Sequence, residues 1–246
     1  AMELSPERTK QLNDLQDKLH YRFRNIALLN EATCHNSWLF DGAGRAGASF
    51  ERMEFLGDIV LAFVLGEHLF RTYPDLSEAD YSRIRSRLAS SDHLSRVARK
   101  LGLGPCILMS HGEEQSGGRR KKSILANVFE AIIAAIYLDS SLATIAHILT
   151  QLLNDDIKRV VEHPFEQDYK TLLQEYHLKK WARLPDYTTL GEEGPPHMRH
   201  FTVQVTVEGG LSFKGTGPSK KEAQKNAARK AVNAIEDIFQ VLKPSV

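Results

Sequence analysis

Apolar residues recur at spacings of three and four through 12–19, 26–32, 53–70, 81–101, 124–138 and 145–161, which is the period of a helix that buries one face or more. Little of this stretch alternates with a period of two, so the first two-thirds of the chain predicts an all-α domain. Glycine and serine interrupt it at 41–49 (DGAGRAGAS) and 111–118 (HGEEQSGG), where loops are expected. Beyond residue 161 the pattern changes. The segment 163–168 (HPFEQD) holds a proline and no periodicity, and reads as a linker. A short helix is expected over 169–177, then strands over 187–190, 200–207 and 212–216, separated by the turn-rich GEEGPP and EGG. A long amphipathic helix over 219–238 completes an α-β-β-β-α order, a small α+β domain. The expected division is 1–162, a linker at 163–168, and 169–246.

Composition narrows the classes. The chain has 246 residues, 42% apolar and 26% charged, the balance of a folded globular protein of two domains. Two cysteines, Cys34 and Cys106, exclude a disulfide framework and a cysteine-rich zinc site. No apolar run reaches the roughly 18 residues of a membrane span. The N-terminal AMELSPERTK has no apolar signal segment, so a cytoplasmic protein without a membrane partner is expected. Net charge is uninformative: 32 Lys+Arg against 31 Asp+Glu gives +1. From Pro164 onward there are 12 basic and 10 acidic residues (+2), leaving 20 and 21 before it (−1). Any polyanion partner must be argued from particular charges.

The stretch 51–63, ERMEFLGDIVLAF, carries the most chemistry. At 100° per residue Glu54 lies about 60° and Asp58 about 20° from Glu51, so three acids share one face of an otherwise apolar helix. No Lys or Arg on that face compensates them, and an isolated buried carboxylate costs several kcal/mol (on the order of 3–5) or gives up its charge. A second apolar helix, 123–139 (SILANVFEAIIAAIYLD), is interrupted by Asn127 and Glu130 at i, i+3. Two such helices face to face offer oxygen ligands to a hard cation, which suits Mg²⁺, Mn²⁺ or Ca²⁺ and not zinc. Carboxylate-held Mg²⁺ is common equipment for phosphodiester hydrolysis. The competing reading of each acid is a solvated helix face.

ERMEFLGDIVL and SILANVFEAIIAAIYLD, with GEEQSGGRRKKS between them, resemble the signatures of the ribonuclease III family, and the likeness runs from about Leu12 to Ile238. The resemblance implies an all-α endonuclease domain followed by a small α+β RNA-binding domain. It implies a homodimer that cleaves double-stranded RNA with Mg²⁺, Mn²⁺ substituting, and leaves 5′-phosphates and short 3′ overhangs. Carried over by position, Glu54, Asp58, Asn127 and Glu130 are expected to hold metal, with Asp58 and Glu130 the catalytic pair. Glu51 and Glu78 match further acids of the cleavage centre, and Phe55 a residue packed across the dimer interface. The family has Asp where this chain has Asn127, so one ligand charge is missing, although an amide oxygen still ligates a hard cation. A tolerated variant, an engineered inactivation and a lost activity all fit that substitution. Thr33–Trp38 (TCHNSW) matches the family loosely and touches none of the four metal-site positions.

Residues 169–238 resemble a double-stranded-RNA-binding domain. A-form RNA is read by shape, through 2′-hydroxyls and phosphates, which asks for contact points spaced along one face. Thr171, Gln174, Glu175 and His177 on the first helix, His197 in a proline-stiffened turn, and Ser219, Lys220, Lys221 and Lys225 at the start of the last helix are the candidates. Lysines at a helix N-terminus oppose the macrodipole until an anion such as phosphate arrives. Gln224 stands where the family often has Lys. Arg119 and Arg120 begin the densest basic run, beside the acidic helices, and are further candidate phosphate contacts. The alternative functions are a non-cleaving duplex-RNA-binding dimer, supported by Asn127 alone, and a metal-binding structural domain, against which the Lys220–Lys225 stretch argues.

Overall fold

The computed structural model describes residues 4–40, 50–162, 169–195, 199–235 and 238–242. The expected loop at 41–49 and linker at 163–168 lie outside the described residues, as does His197. The chain divides into two units, residues 1–162 and 163–246.

The first unit is helical: α1 (Pro6–Leu19), α2 (Ile26–Ala32), α3 (Asn36–Phe40), α4 (Glu51–Thr72), α5 (Glu78–Leu88), α6 (Ser91–Leu101), α7 (His111–Gln115), α8 (Lys122–Asp139) and α9 (Leu142–Glu162). α8 is buried on nearly every side, from Ile124 to Asp139, as its continuous apolar sequence requires. α4, α6, α2 and α9 pack around it, and α4 and α8 form the most extensive helix pair among the described residues. That pair is close because Gly57 lies at the crossing: a Cβ there would stand 1.8 Å from the Glu130 carbonyl oxygen.

In this unit two local expectations differ from the structure. The continuous helix expected over 81–101 is broken into α5 and α6, because Ser90 turns its hydroxyl onto the His93 N–H at 3.3 Å and starts a new helix. The loop expected at 111–118 contains α7, capped by Ser110, whose hydroxyl accepts from the Glu113 N–H at 3.2 Å. Side-chain capping is local chemistry that hydrophobic periodicity does not report.

At the inner end of α8 the buried Asp139 accepts from the Tyr21 hydroxyl (2.6 Å) and from the backbone N–H groups of Arg24 and Asn25 (2.8 Å each). Burial pushes this carboxyl up, but the Tyr21 bond and the two N–H bonds prevail and hold it below its ordinary range. The bonds fix the connection between α1 and α2 onto α8. Arg8, also buried, spans α1, α2 and the following segments by donating to Asn30 (2.9 Å), Thr33 (2.5 Å) and the Cys106 carbonyl (2.6 Å).

The second unit runs α10 (Tyr169–Trp181), β1 (Asp186–Glu193), β2 (His200–Thr206), β3 (Ser212–Gly217), α11 (Lys220–Ala234) and α12 (Ile238–Leu242). The sheet is antiparallel in the order β1-β2-β3. Its core joins Leu172, Leu173 and Tyr176 of α10 to Val205, Val207, Ala227, Ala228, Ala231 and Val232. Small residues let α11 lie directly on β3: a Cβ at Gly215 would stand 2.1 Å from the Ala227 nitrogen. The helix expected over 219–238 ends at Ala234. Extended backbone at Ile235 turns the chain, so that Ile238 is buried from a separate short helix. Among the described residues no helix is long and apolar enough to cross a membrane.

Candidate functional site

Close approach at Gly57 sets one turn of α4 beside one turn of α8. Glu51, Glu54, Phe55 and Asp58 from α4, with Asn127 and Glu130 from α8, line an open concavity of about 460 Å³. No cation is among its lining residues. Glu54, Asn127 and Glu130 are half-buried; Glu51 and Asp58 are exposed. Burial, reinforced by Asp58 and Glu54, pushes the Glu130 carboxyl up to about 7. Glu54 is raised by burial as well; a hydrogen bond from Asn127 opposes the rise, and the charges of Glu51 and Asp58 add to it. The acids therefore destabilise one another, and a cation is the partner that would reverse this. Among the described residues no three His, Cys, Asp or Glu side chains converge closely enough to enclose an ion as they stand. Asn127 places an amide among these acids.

Glu78 is not brought into this concavity. It lies exposed in the first turn of α5 and accepts a hydrogen bond from the Ser82 hydroxyl at 3.0 Å. Asn36, which the sequence did not single out, donates to the Glu51 carboxylate, so the loosely matching segment at 33–38 reaches the acidic face after all. Fifteen residues separate the pair, and no local pattern signals their meeting.

The two arginines of the basic run have different surroundings. The Arg119 guanidinium donates to the carbonyls of Gly104 (3.0 Å) and Ile107 (2.7 Å) and pairs with Glu114 at 2.5 Å, so it is occupied in holding the loop together. Arg120 is exposed. Lys121 pairs with Glu113 at 2.7 Å and Lys122 with Asp92 at 2.6 Å.

In the second unit, Thr171, Gln174 and Glu175 are partly buried on α10, whereas His177 is turned into the domain core and is not presented to a ligand. Ser219 is the N-cap of α11, its hydroxyl accepting from the Glu222 N–H at 3.2 Å, while Lys220 and Lys221 are exposed and Lys225 is half-buried. Gln224 accepts from Lys170 at 2.8 Å. That bond fixes the first turn of α10 beside the early turns of α11 and brings two of the candidate contact points together. Lys170 was not anticipated; its ammonium also stands 5.2 Å from the Tyr187 ring centre.

Comparison with known proteins decides what this arrangement belongs to. The family described as Ribonuclease-III-like matches residues 25–157, and the double-stranded RNA binding motif matches residues 169–235. Ribonuclease 3 of Pseudothermotoga lettingae is 38% identical over 236 residues, covering 95% of this chain and 99% of the relative. Ribonuclease 3 of Borreliella burgdorferi is 41% identical over 235 residues, covering 96% of each. The chain belongs to the ribonuclease III family. It is an endonuclease of the ribonuclease III type joined to a double-stranded-RNA-binding domain. The nuclease domain of Campylobacter jejuni ribonuclease III superimposes with a TM-score of 0.55 at 37% identity, covering 58% of this chain and 96% of that one. The acidic concavity lies within the Ribonuclease-III-like region, and the α10–α11 contact surface within the RNA-binding motif.

Proposed function

We propose that this chain hydrolyses phosphodiester bonds of double-stranded RNA with Mg²⁺, for which Mn²⁺ substitutes. The products are 5′-phosphate ends and short 3′ overhangs, in the maturation of ribosomal and other structured RNAs. The observation that carries this reading is the convergence of Glu51, Glu54, Asp58, Asn127 and Glu130 in one open concavity with no protein cation in its lining. Glu54, Asp58, Asn127 and Glu130 are the residues that would hold the ion, which supplies charge to the scissile phosphate and lowers the pKa of the attacking water. Asp58 and Glu130 come from the two crossing helices, so the packing at Gly57 fixes their separation. Glu51, held by Asn36, forms the rim. Arg120 meets phosphate near the cleavage centre. Lys220, Lys221 and Lys225 meet it on the RNA-binding domain, with Thr171, Gln174 and Glu175 toward the minor groove.

A second copy of the chain covers α4. Phe55, Ile59, Phe63 and Phe70 are 72%, 50%, 53% and 71% exposed and fall within one arc of the helix. An exposed apolar stripe of that kind calls for an apolar partner. Phe55 also lines the concavity, so the dimer face and the acidic site adjoin. A dimer would then carry two cleavage centres for one duplex.

Cleavage of a long RNA duplex across a Mg²⁺ titration tests the reading, with Asn127→Asp alongside. A working nuclease is expected to cut, and the Asp variant to reach half-maximal rate at a Mg²⁺ concentration lower by roughly tenfold. Binding of duplex without scission at every Mg²⁺ level, with scission restored by Asn127→Asp, would identify a silenced form whose activity is binding alone.

A further inference from the structure

His177 is an unusual core residue of the RNA-binding domain. It is 1% exposed, and among the described residues neither ring nitrogen has a hydrogen-bond partner. Buried polar nitrogens without partners cost free energy, and adding a charge to them costs more. The ring borders a cavity of about 390 Å³ between the end of α10 and the β2–β3 turn, lined also by Arg183, Asp186, Thr206 and Glu208. The Trp181 ring packs against it at 4.9 Å between centres, and Tyr176 at 6.2 Å.

The charged groups facing this cavity are Arg183 after α10, Asp186 on β1 and Glu208 in the β2–β3 turn. Glu208 is already paired with Arg183. Tyr176 and Lys180 share α10 with His177 and bond to one another at 2.9 Å. Neither α11 nor α12 contributes a titratable group to the lining among the described residues. Burial, and after it the charge of Arg183, holds the imidazole below its ordinary range, so the ring is neutral at physiological pH.

We propose that His177 is an acid-responsive element of the RNA-binding domain: a proton on its buried ring loosens the end of α10 from the β2–β3 turn and weakens duplex binding. The same helix carries Thr171, Gln174 and Glu175, so its packing and its RNA contacts are lost together. The coupling to RNA rests on the proposed reading of α10; the loosening does not. The sign follows from linkage. The unfolded chain takes up the proton near the ordinary histidine value of about 6.5, whereas the folded chain does so only lower. Stability contributed by the neutral ring is thus complete above that value and falls as pH drops, by up to about tenfold in the unfolding equilibrium per pH unit until the folded value is passed.

Trp181 is a built-in probe, because the chain has 2 tryptophans and Trp38→Phe leaves Trp181 alone. Urea unfolding of the full chain carrying Trp38→Phe is followed by Trp181 fluorescence between about pH 7 and about pH 5.5, with and without His177→Leu or His177→Gln. The unfolding equilibrium is expected to shift further with His177 than with either replacement, by up to about tenfold. Parallel profiles in all three proteins would overturn the proposal. The midpoint of the His177 ring proton signals in the native chain provides a readout that needs no variant: it is expected below about 6.5, and a value at or above it refutes the sensor. Duplex affinity is measured at both pH values. No binding at about pH 7 refutes the RNA reading and not the loosening, and affinity unchanged at about pH 5.5 beside a pH-dependent unfolding refutes the coupling.

Discussion

Asn127, in the second turn of α8, and Asp139, its last residue, show how much one side chain decides. The Asn127 amide bonds to Glu54 and opposes the rise of its carboxyl; on the proposed reading it also offers the ion an uncharged oxygen in place of an anionic one. Asp139 is an acid inside the core, tolerated because a hydroxyl and two backbone N–H groups converge on it. Asp139→Asn is expected to cost about 1–3 kcal/mol near neutral pH, since an amide offers one acceptor where three donors need satisfying. The folded carboxyl is depressed, so its contribution is present above the ordinary carboxylate value of about 3.9 and is lost as pH falls through the lower folded value. Urea midpoints of the two proteins should therefore differ clearly at neutral pH and converge in strong acid. The metal-site candidates were legible as residues because acids on apolar helices violate the pattern around them. Asp139 was legible only as a helix end, since its donors lie more than 110 residues earlier in the chain.

Among the elements, the α4–α8 pair joins the core to the site. Both helices were evident from their periodicity, and the two polar stripes were evident as stripes. That they face each other depends on Gly57, where only a hydrogen atom fits against the Glu130 carbonyl. Gly57→Ala is expected to force the helices apart, costing about 1–3 kcal/mol or more of stability. It should raise the Mg²⁺ needed for cleavage and leave duplex binding by the second unit intact. Thermal unfolding, a Mg²⁺ titration and a gel-shift assay read the three effects separately. Element boundaries were less legible. Ser90, Ser110 and Ile235 each redirect the backbone by a hydrogen bond or a local conformation that the apolar pattern does not encode.

For the whole molecule, the proposed dimer face is the exposed stripe on α4, which adjoins the acidic concavity at Phe55. Phe63→Glu puts a charge into that stripe without touching the concavity, and sedimentation equilibrium is expected to show a monomer. Scission of both strands at one place should decline relative to single-strand nicking, because one centre remains per bound protein. By itself the sequence determined the two-domain order, the helical and α-β-β-β-α classes and the acids that break apolar helices, because periodicity and its violations are local properties of a chain. Tertiary structure alone decided which polar groups meet: Asn36 with Glu51, Lys170 with Gln224, Arg119 with three loop carbonyls, and His177, among the described residues, with no hydrogen-bond partner. These depend on helix crossings and loop closures between distant segments, where a side chain's partner is set by packing and not by its neighbours in sequence.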